Sequence, residues 1–503
     1  MTPLGQVHNR AGRKAYSQLS RGASLDVLRV PLLGRFLRWR WARPAMQVPA
    51  LLLSALMIWH AFWGPALAPK NLATLLTWVH FRGIVVLVLL LAGNLFCMAC
   101  PFVLLRDMAR RLHAPQWEWP RVLRNKWPAI ALFVAVLFVY ELFDLFADPW
   151  STGGLIVAYF VAAVVIDTLF RRASFCKYVC PIGQFNFLGS TLSPLEVAVR
   201  EPDVCTNCRT KDCIRGSHIG VAGATFSQEL PVLQRGCELA LFQPRKIGNL
   251  DCTFCLDCVH ACPHDNVGIF ARVPAEELEI SGTRSGLGTL ARRFDMTALT
   301  VIFTFGALLN AFAMISPVYA VEQWAAQVTG LRVEWPMLAT IFTIALVLEP
   351  AILLLLAAAG TQRFTARPMT LLAIVNHFAR SLIPIGFGVW LAHYGFHFFT
   401  GFLTVIPVTQ HAALQSSGRA LLGEPQWQLG GLPESIVYPM ELGFLGLGLL
   451  GSCLVAWSLA QQVSPARTAS SFLPWALLHL AIFVCAVWVM TQPMDMRGTF
   501  LGG

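Results

Sequence analysis

The chain has 503 residues, of which 56% are hydrophobic and only 13% charged, with a formal net charge of +11. That balance excludes a disordered chain and an ordinary soluble globule, and it points to a membrane protein. The charge alone would admit nucleic acid. The Lys and Arg residues, however, cluster beside apolar runs, so they read as topology and headgroup contacts, with lipids and not nucleic acid as partners.

In chain order, residues 1–46 are long, polar and basic, unlike the short charged cap of a cleavable signal peptide. Nine apolar spans follow, at 47–66, 78–97, 127–146, 153–170, 297–318, 336–359, 369–396, 437–460 and 472–491. Each is near the roughly 20 residues needed to cross about 30 Å of hydrocarbon. The segment from Arg10 to Arg43 is basic, as are 106–126, 171–172, 284–293 and 363–367, whereas 147–152, 319–335 and 402–436 are almost free of Lys and Arg. This alternation predicts a bacterial inner-membrane protein with the N-terminus and residues 198–293 in the cytoplasm and the C-terminus in the periplasm. The expected fold class is mostly α: a basic N-terminus (1–46), a four-span bundle (47–197), a soluble insert (198–293) and a five-span bundle (294–503).

Twelve of the fourteen cysteines lie between Cys97 and Cys262. The clearest run is Cys252-x2-Cys255-x2-Cys258-x3-Cys262-Pro263. Three thiolates on one tight loop suit three irons of a cubane, and the fourth, before Pro, suits a neighbouring cluster. The earlier run, Cys205-x2-Cys208-x4-Cys213 with Cys237 further on, is less regular. Ligand exchange between runs, as in two-cluster ferredoxins, gives one [4Fe–4S] cluster on Cys205, Cys208, Cys213 and Cys262 and another on Cys237, Cys252, Cys255 and Cys258. The alternative is one cluster from the second run and a zinc on the first. Reduced thiolates fit a cytoplasmic insert, where a disulfide framework does not.

Two further pairs close spans. Asn94-Leu-Phe-Cys97-Met-Ala-Cys100-Pro101 follows the second, and Ser174-Phe-Cys176-Lys-Tyr-Val-Cys180-Pro181 the fourth. These four cysteines could bind metal, relay electrons as dithiols, or simply be small residues before a helix-ending Pro. With the double-cluster insert, the layout over about residues 45–270 resembles the polyferredoxin-like 4Fe–4S membrane proteins. That group includes membrane ferredoxins of nitrate and nitrous oxide respiration and the cbb3 oxidase assembly protein. The resemblance implies electron delivery linked to quinol or the cytoplasm, toward a periplasmic acceptor, or redox help in metal-enzyme assembly. The family's edge motif is C-x3-C-P. Cys176 and Cys180 match it; Cys97 and Cys100 are one residue short.

Residues 295–503 fall outside this resemblance. Arg380 sits inside an apolar run and should face the bundle interior, with Glu349 or Glu441 as partner. Asn376, Arg380 and Pro384 share a stripe that should line a cavity or seam. His393 and His397 lie one turn apart near the outer surface and suit copper, with His411, Met494 and Met496 on the same side. His377 and His479 suit a haem b; the ordinary alternative for each is a hydrogen-bonded seam residue, and the same holds for His60 and His80. Cys453 and Cys485 read as small buried hydrophobes.

The expected function is therefore membrane-bound electron transfer between [4Fe–4S] clusters and a quinone pool or a redox protein. The alternative is a copper assembly factor for a respiratory metalloenzyme, and a redox-gated transporter is a third class. No nucleotide-phosphate loop or dinucleotide fingerprint is present, so hydride or carbon chemistry would belong to a partner.

Overall fold

The computed structural model describes residues 25–218, 232–280, 284–285, 288–330, 333–365 and 368–493. Met494 and Met496 lie outside them. Among the described residues, eight helical segments are long and apolar enough to cross a membrane: Ala42–Trp63, Leu72–Ala92, Pro149–Leu169, Phe294–Phe312, Trp335–Gln362, Leu371–Ser417, Glu434–Val463 and Pro465–Met490. The protein is thus a mostly α, polytopic membrane protein.

Differences from the predicted spans have local causes. The third span is a shorter apolar helix, Trp127–Leu142, of 16 residues. It opens on Pro128 and closes before Asp144, whose φ of 44° cannot continue a helix. The fifth stops at Phe312 because Ile315 is extended and Ser316-Pro317 begins a new helix, Ser316–Thr329. The seventh starts at Leu371, capped by the Thr370 hydroxyl, which accepts from the Ala373 N–H at 3.2 Å. A single 3₁₀ turn, Ala379–Ser381, interrupts it before Leu382–Gly401. The stretch after residue 402 was expected to be loop, yet it holds the helix Val405–Ser417, closed by Gly418 at φ 67°.

By contact, the chain forms two compact units that do not follow chain order. The first comprises Met1–Leu51, Val88–Asn125 and Ala162–Arg293; the second comprises Leu52–Leu87, Lys126–Val161 and Phe294–Gly503. The first unit contains every clustered cysteine. Its insert is built on two antiparallel strands, β1 (Leu195–Val199) and β2 (Val267–Ala271), with Leu195 opposite Ala271 and Val199 opposite Val267. Val197 and Ile269 bury one face of this ribbon.

The second unit is helical. Leu382–Gly401 is its most enclosed element, packed against Glu434–Val463 and Phe294–Phe312. Gly388 makes this possible: a Cβ there would sit 2.9 Å from the Phe444 carbonyl and 3.3 Å from the Gly448 Cα. Polar side chains stitch the seam. Trp390 Nε1–H donates to the Phe303 carbonyl at 2.8 Å, the Ser452 hydroxyl accepts from the Ile385 N–H at 2.9 Å, and Thr297 donates to Asn376 at 2.8 Å. The expected seam role of the Asn376 stripe has this form. The expected partners of Arg380 differ: Glu349 is exposed on its helix, and neither oxygen of buried Glu441 has a hydrogen-bond partner among the described residues. His479 Nε2 meets the Ser381 hydroxyl at 3.1 Å, and His60 and His80 engage backbone groups at 3.1–3.3 Å. These contacts have the ordinary seam form.

Candidate iron–sulfur centres

The first candidate centre is a cavity between β1, β2 and the short helices of the insert. Its walls include Cys205, Cys208, Cys213 and Cys262, with Pro263 and Asn266. The first run and the last cysteine of the second run are therefore brought together. Asn266 organises them: its Nδ2–H donates to Cys205 Sγ at 3.2 Å and its backbone N–H donates to Cys262 Sγ at 3.3 Å. Burial, reinforced by the neighbouring thiols, pushes Cys213 up to about 11.

The second group is Cys237 with Cys252, Cys255 and Cys258, each of which lies within electrostatic range of Cys237. Cys252, Cys255 and Cys258 are buried on a loop that turns through left-handed residues at Asp251, Phe254 and Leu256. Those φ values, between 52° and 62°, curl the backbone around the thiols. The Leu241 N–H donates to Cys237 Sγ at 3.4 Å. Beneath the loop, Asn249 N–H donates to Glu277 at 2.7 Å and Gly248 N–H to Glu196 at 2.9 Å, while Arg272 pairs with Glu277. Burial pushes the Cys237 thiol up to about 12. A thiol so placed stays protonated unless a metal cation takes the proton's place, which is the donor chemistry an iron–sulfur cluster needs.

The edge pairs form the third group. Cys180 lies within electrostatic range of Cys97 and Cys100, and Cys176 of Cys180. Cys100 and Cys180 have matching roles. Each is the N-cap of a helix with Pro at its first position (Pro101–Leu112 and Pro181–Gly189), with φ/ψ of −61°/120° and −63°/112°. Helix N-terminal N–H groups lie near both sulfurs: Gly183 N–H donates to Cys180 Sγ at 3.2 Å, whereas the Phe102 and Val103 N–H groups act on Cys100 electrostatically without a cap hydrogen bond. The departure from C-x3-C is absorbed locally. Cys97 lies on a short α turn, Leu95–Met98, whereas Cys176 lies on a wider π turn, Phe175–Val179, which takes up the extra residue. Asn186 Nδ2–H donates to Cys97 Sγ at 3.4 Å.

A buried charge network adjoins the second and third groups. Arg106, 1% exposed, donates to Glu238 at 2.7 Å and to Asp167 at 3.2 Å. Arg43 donates to the same Glu238 at 3.3 Å and to Asp257 at 3.2 Å. Burial alone would raise Glu238, but Arg106 and Arg43 hold it well below the usual carboxylate range. Glu238 follows Cys237 directly, and Arg106 lies within electrostatic range of Cys176. Sequence reasoning missed this network. It read Arg43 and Arg106 as headgroup-facing charges, and only the placement of Glu238 next to a cysteine hinted otherwise.

Among the described residues, no three His, Cys, Asp or Glu side chains close tightly enough to hold a single metal ion. A lone zinc or copper needs such closure; a cubane, with sulfurs spread around four irons, does not. His393 and His397 are neighbours, with ring centroids 4.8 Å apart, but His411 packs on Trp427 at 5.4 Å and does not complete a site with them. Cys485 is exposed and Cys453 half-buried. The expectation of two buried small residues is corrected for Cys485, whose helix turns it outward.

Comparison with known proteins agrees with this chemistry. Residues 74–120 and 152–188 match the family described as a 4Fe-4S binding domain. These two stretches contain Cys97, Cys100, Cys176 and Cys180. The chain is 25% identical to the regulatory protein NosR of Pseudomonas aeruginosa over 232 residues, 38% of this chain and 29% of that protein. It is 29% identical over 103 residues to YccM of Escherichia coli K12, named for electron transport, covering 20% and 23% of the two chains. An uncharacterised protein of Methanocaldococcus jannaschii is 23% identical over 201 residues, 38% of this chain and 69% of that one. The chain thus spans under a third of the length of the NosR and YccM relatives. No solved structure matches it significantly. Cysteine groups, membrane helices and these partial matches together make the chain similar to polyferredoxin-like 4Fe–4S membrane proteins.

Proposed function

We propose that the chain transfers electrons through three [4Fe–4S] clusters. Cys205, Cys208, Cys213 and Cys262 hold one, Cys237, Cys252, Cys255 and Cys258 a second, and Cys97, Cys100, Cys176 and Cys180 a third. The observation that carries this reading is the sorting of twelve cysteines into three groups of four, each supplied with N–H donors to sulfur. The family match on the edge segments supports the third group in particular. A cubane, when bound, supplies one-electron storage at a potential set by such hydrogen bonds and by burial.

The chain's own residues do the rest. Cys100 and Cys180 present sulfur to helix N-termini, which partly offsets the burial that raises both thiols. Arg43, Arg106, Glu238, Asp167 and Asp257 surround the second and third groups with paired charge, so the sites stay dry without a bare buried ion. The basic loops favour a cytoplasmic insert and a periplasmic C-terminus. The donor or acceptor is then a quinone pool or a periplasmic redox protein. The copper-assembly alternative is weaker, because His411 does not join the neighbouring His393 and His397. The test is an EPR redox titration of the wild type beside Cys100→Ser/Cys180→Ser. Loss of one component with the insert signals kept supports the third centre; three unchanged components would contradict it.

A further inference from the structure

The second unit holds a cavity that the cysteine chemistry does not use. Its walls include Trp78, Arg82, Tyr140, Met314, Phe342 and His397. Arg82 lies in the middle of the apolar helix Leu72–Ala92, directly after its π turn Leu76–Phe81. A charge there costs a few kcal/mol and calls for a reason. Its guanidinium is held by aromatic rings, lying 4.4 Å from the Trp78 centroid, 4.7 Å from Tyr140 and 5.0 Å from Tyr394. It also donates to the Tyr140 hydroxyl at 3.4 Å.

The second observation is three buried imidazole nitrogens without hydrogen-bond partners among the described residues. His397 is 5% exposed and lines the cavity, and among the described residues its Nε2 has no hydrogen-bond partner; His393, fully buried beside it, has none there on either nitrogen. A buried polar group is normally satisfied, so an orphaned one facing a cavity marks a place for a ligand atom.

Charge then selects the ligand. Arg82 lies within electrostatic range of both imidazoles and disfavours a metal cation. Glu141, Asp144, Glu322 and Glu334 line the same cavity and disfavour a free anion. Aromatic and aliphatic walls favour a flat, neutral molecule carrying oxygens at its edge. We infer that this cavity binds a quinone head group, with Arg82 addressing one ring oxygen and His397 the other. The inference rests on the quinone-linked reading above and gives it a location in the half of the chain that the family match does not cover.

The test uses the full chain in lipid nanodiscs with decylubiquinone as probe, and an azido analogue for photolabelling. Wild type should bind decylubiquinone, and label should map to peptides containing residues 78–82 or 393–397. Arg82→Leu and His397→Phe should each weaken binding about tenfold or more, and Arg82→Lys, which keeps charge but not the planar fork, should fall between. Iron content and dithionite-reduced EPR of the same samples report the cluster reading separately. Variants that keep their iron yet bind the probe as wild type does would overturn the inference, as would label confined to other peptides. Stoichiometric Cu(II) bound at His393 and His397 in place of quinone would also overturn it.

Discussion

The two compact units differ in how they treat buried charge, although each keeps some buried polar atoms without a hydrogen-bond partner among the described residues. In the cysteine-rich unit, buried charges are paired: Arg106 reaches three carboxylates at 2.7–3.2 Å and Arg43 two. In the helical unit, His393, His397 and Glu441 keep buried nitrogen and oxygen atoms without hydrogen-bond partners among the described residues. Paired charge is what a protein builds around centres it holds permanently, because an uncompensated ion beside them would be costly. An orphaned group facing a cavity, as His397 does, is what it leaves for a molecule that comes and goes. The comparison separates a fixed redox frame from an exchangeable site.

The largest expected effect breaks one side only. Cys255→Ser should remove about four irons per chain, whereas His393→Ala with His397→Ala should leave iron unchanged, both read by metal analysis after anaerobic purification. Iron loss in the histidine variant would mean that the two units are not chemically distinct. Next, Arg106→Met removes the closest cation from Asp167 and leaves Glu238 with Arg43 alone, and it should cost about 3–5 kcal/mol, seen as earlier thermal loss of the iron–sulfur absorbance. A shift near zero would remove the network from the frame. Gly248→Ala is smaller, at about 1–3 kcal/mol in the same assay. Its φ is 75°, and the added Cβ would approach the Glu277 carboxyl to 2.2 Å, so the loop under Cys252 must give. Cys485→Ser, on an outward-facing thiol, should stay within about 0.5 kcal/mol of wild type and change no iron signal.

Much of this frame was legible in the sequence, because its signals are local. Thiolate spacing follows from how a loop wraps a cubane, and spans follow from apolar runs. The grouping of Cys262 with Cys205, Cys208 and Cys213 at one cavity could be expected from ferredoxin spacing. Boundaries were less legible: the turn at Asp144 and the helix start at Ser316 depend on backbone conformations that hydropathy does not encode. Least legible were pairings between distant segments. Nothing in the sequence joins Arg106 to Glu238, 132 positions away. Arg82 escaped notice because one charge hardly lowers the hydropathy of its span, while Arg380 drew attention among polar neighbours and histidines. Sequence period reports a residue's face, but not which rings will hold its charge.

The most direct test of the central claim is iron, sulfide, zinc and copper analysis of the anaerobically purified chain, with EPR before and after dithionite. The account predicts about twelve irons and twelve sulfides per chain with interacting reduced-cluster signals. About eight irons would leave the edge cysteines without a cluster and contradict the third centre. About four irons with one zinc would contradict the account as a whole, reducing the first cysteine run to a structural site.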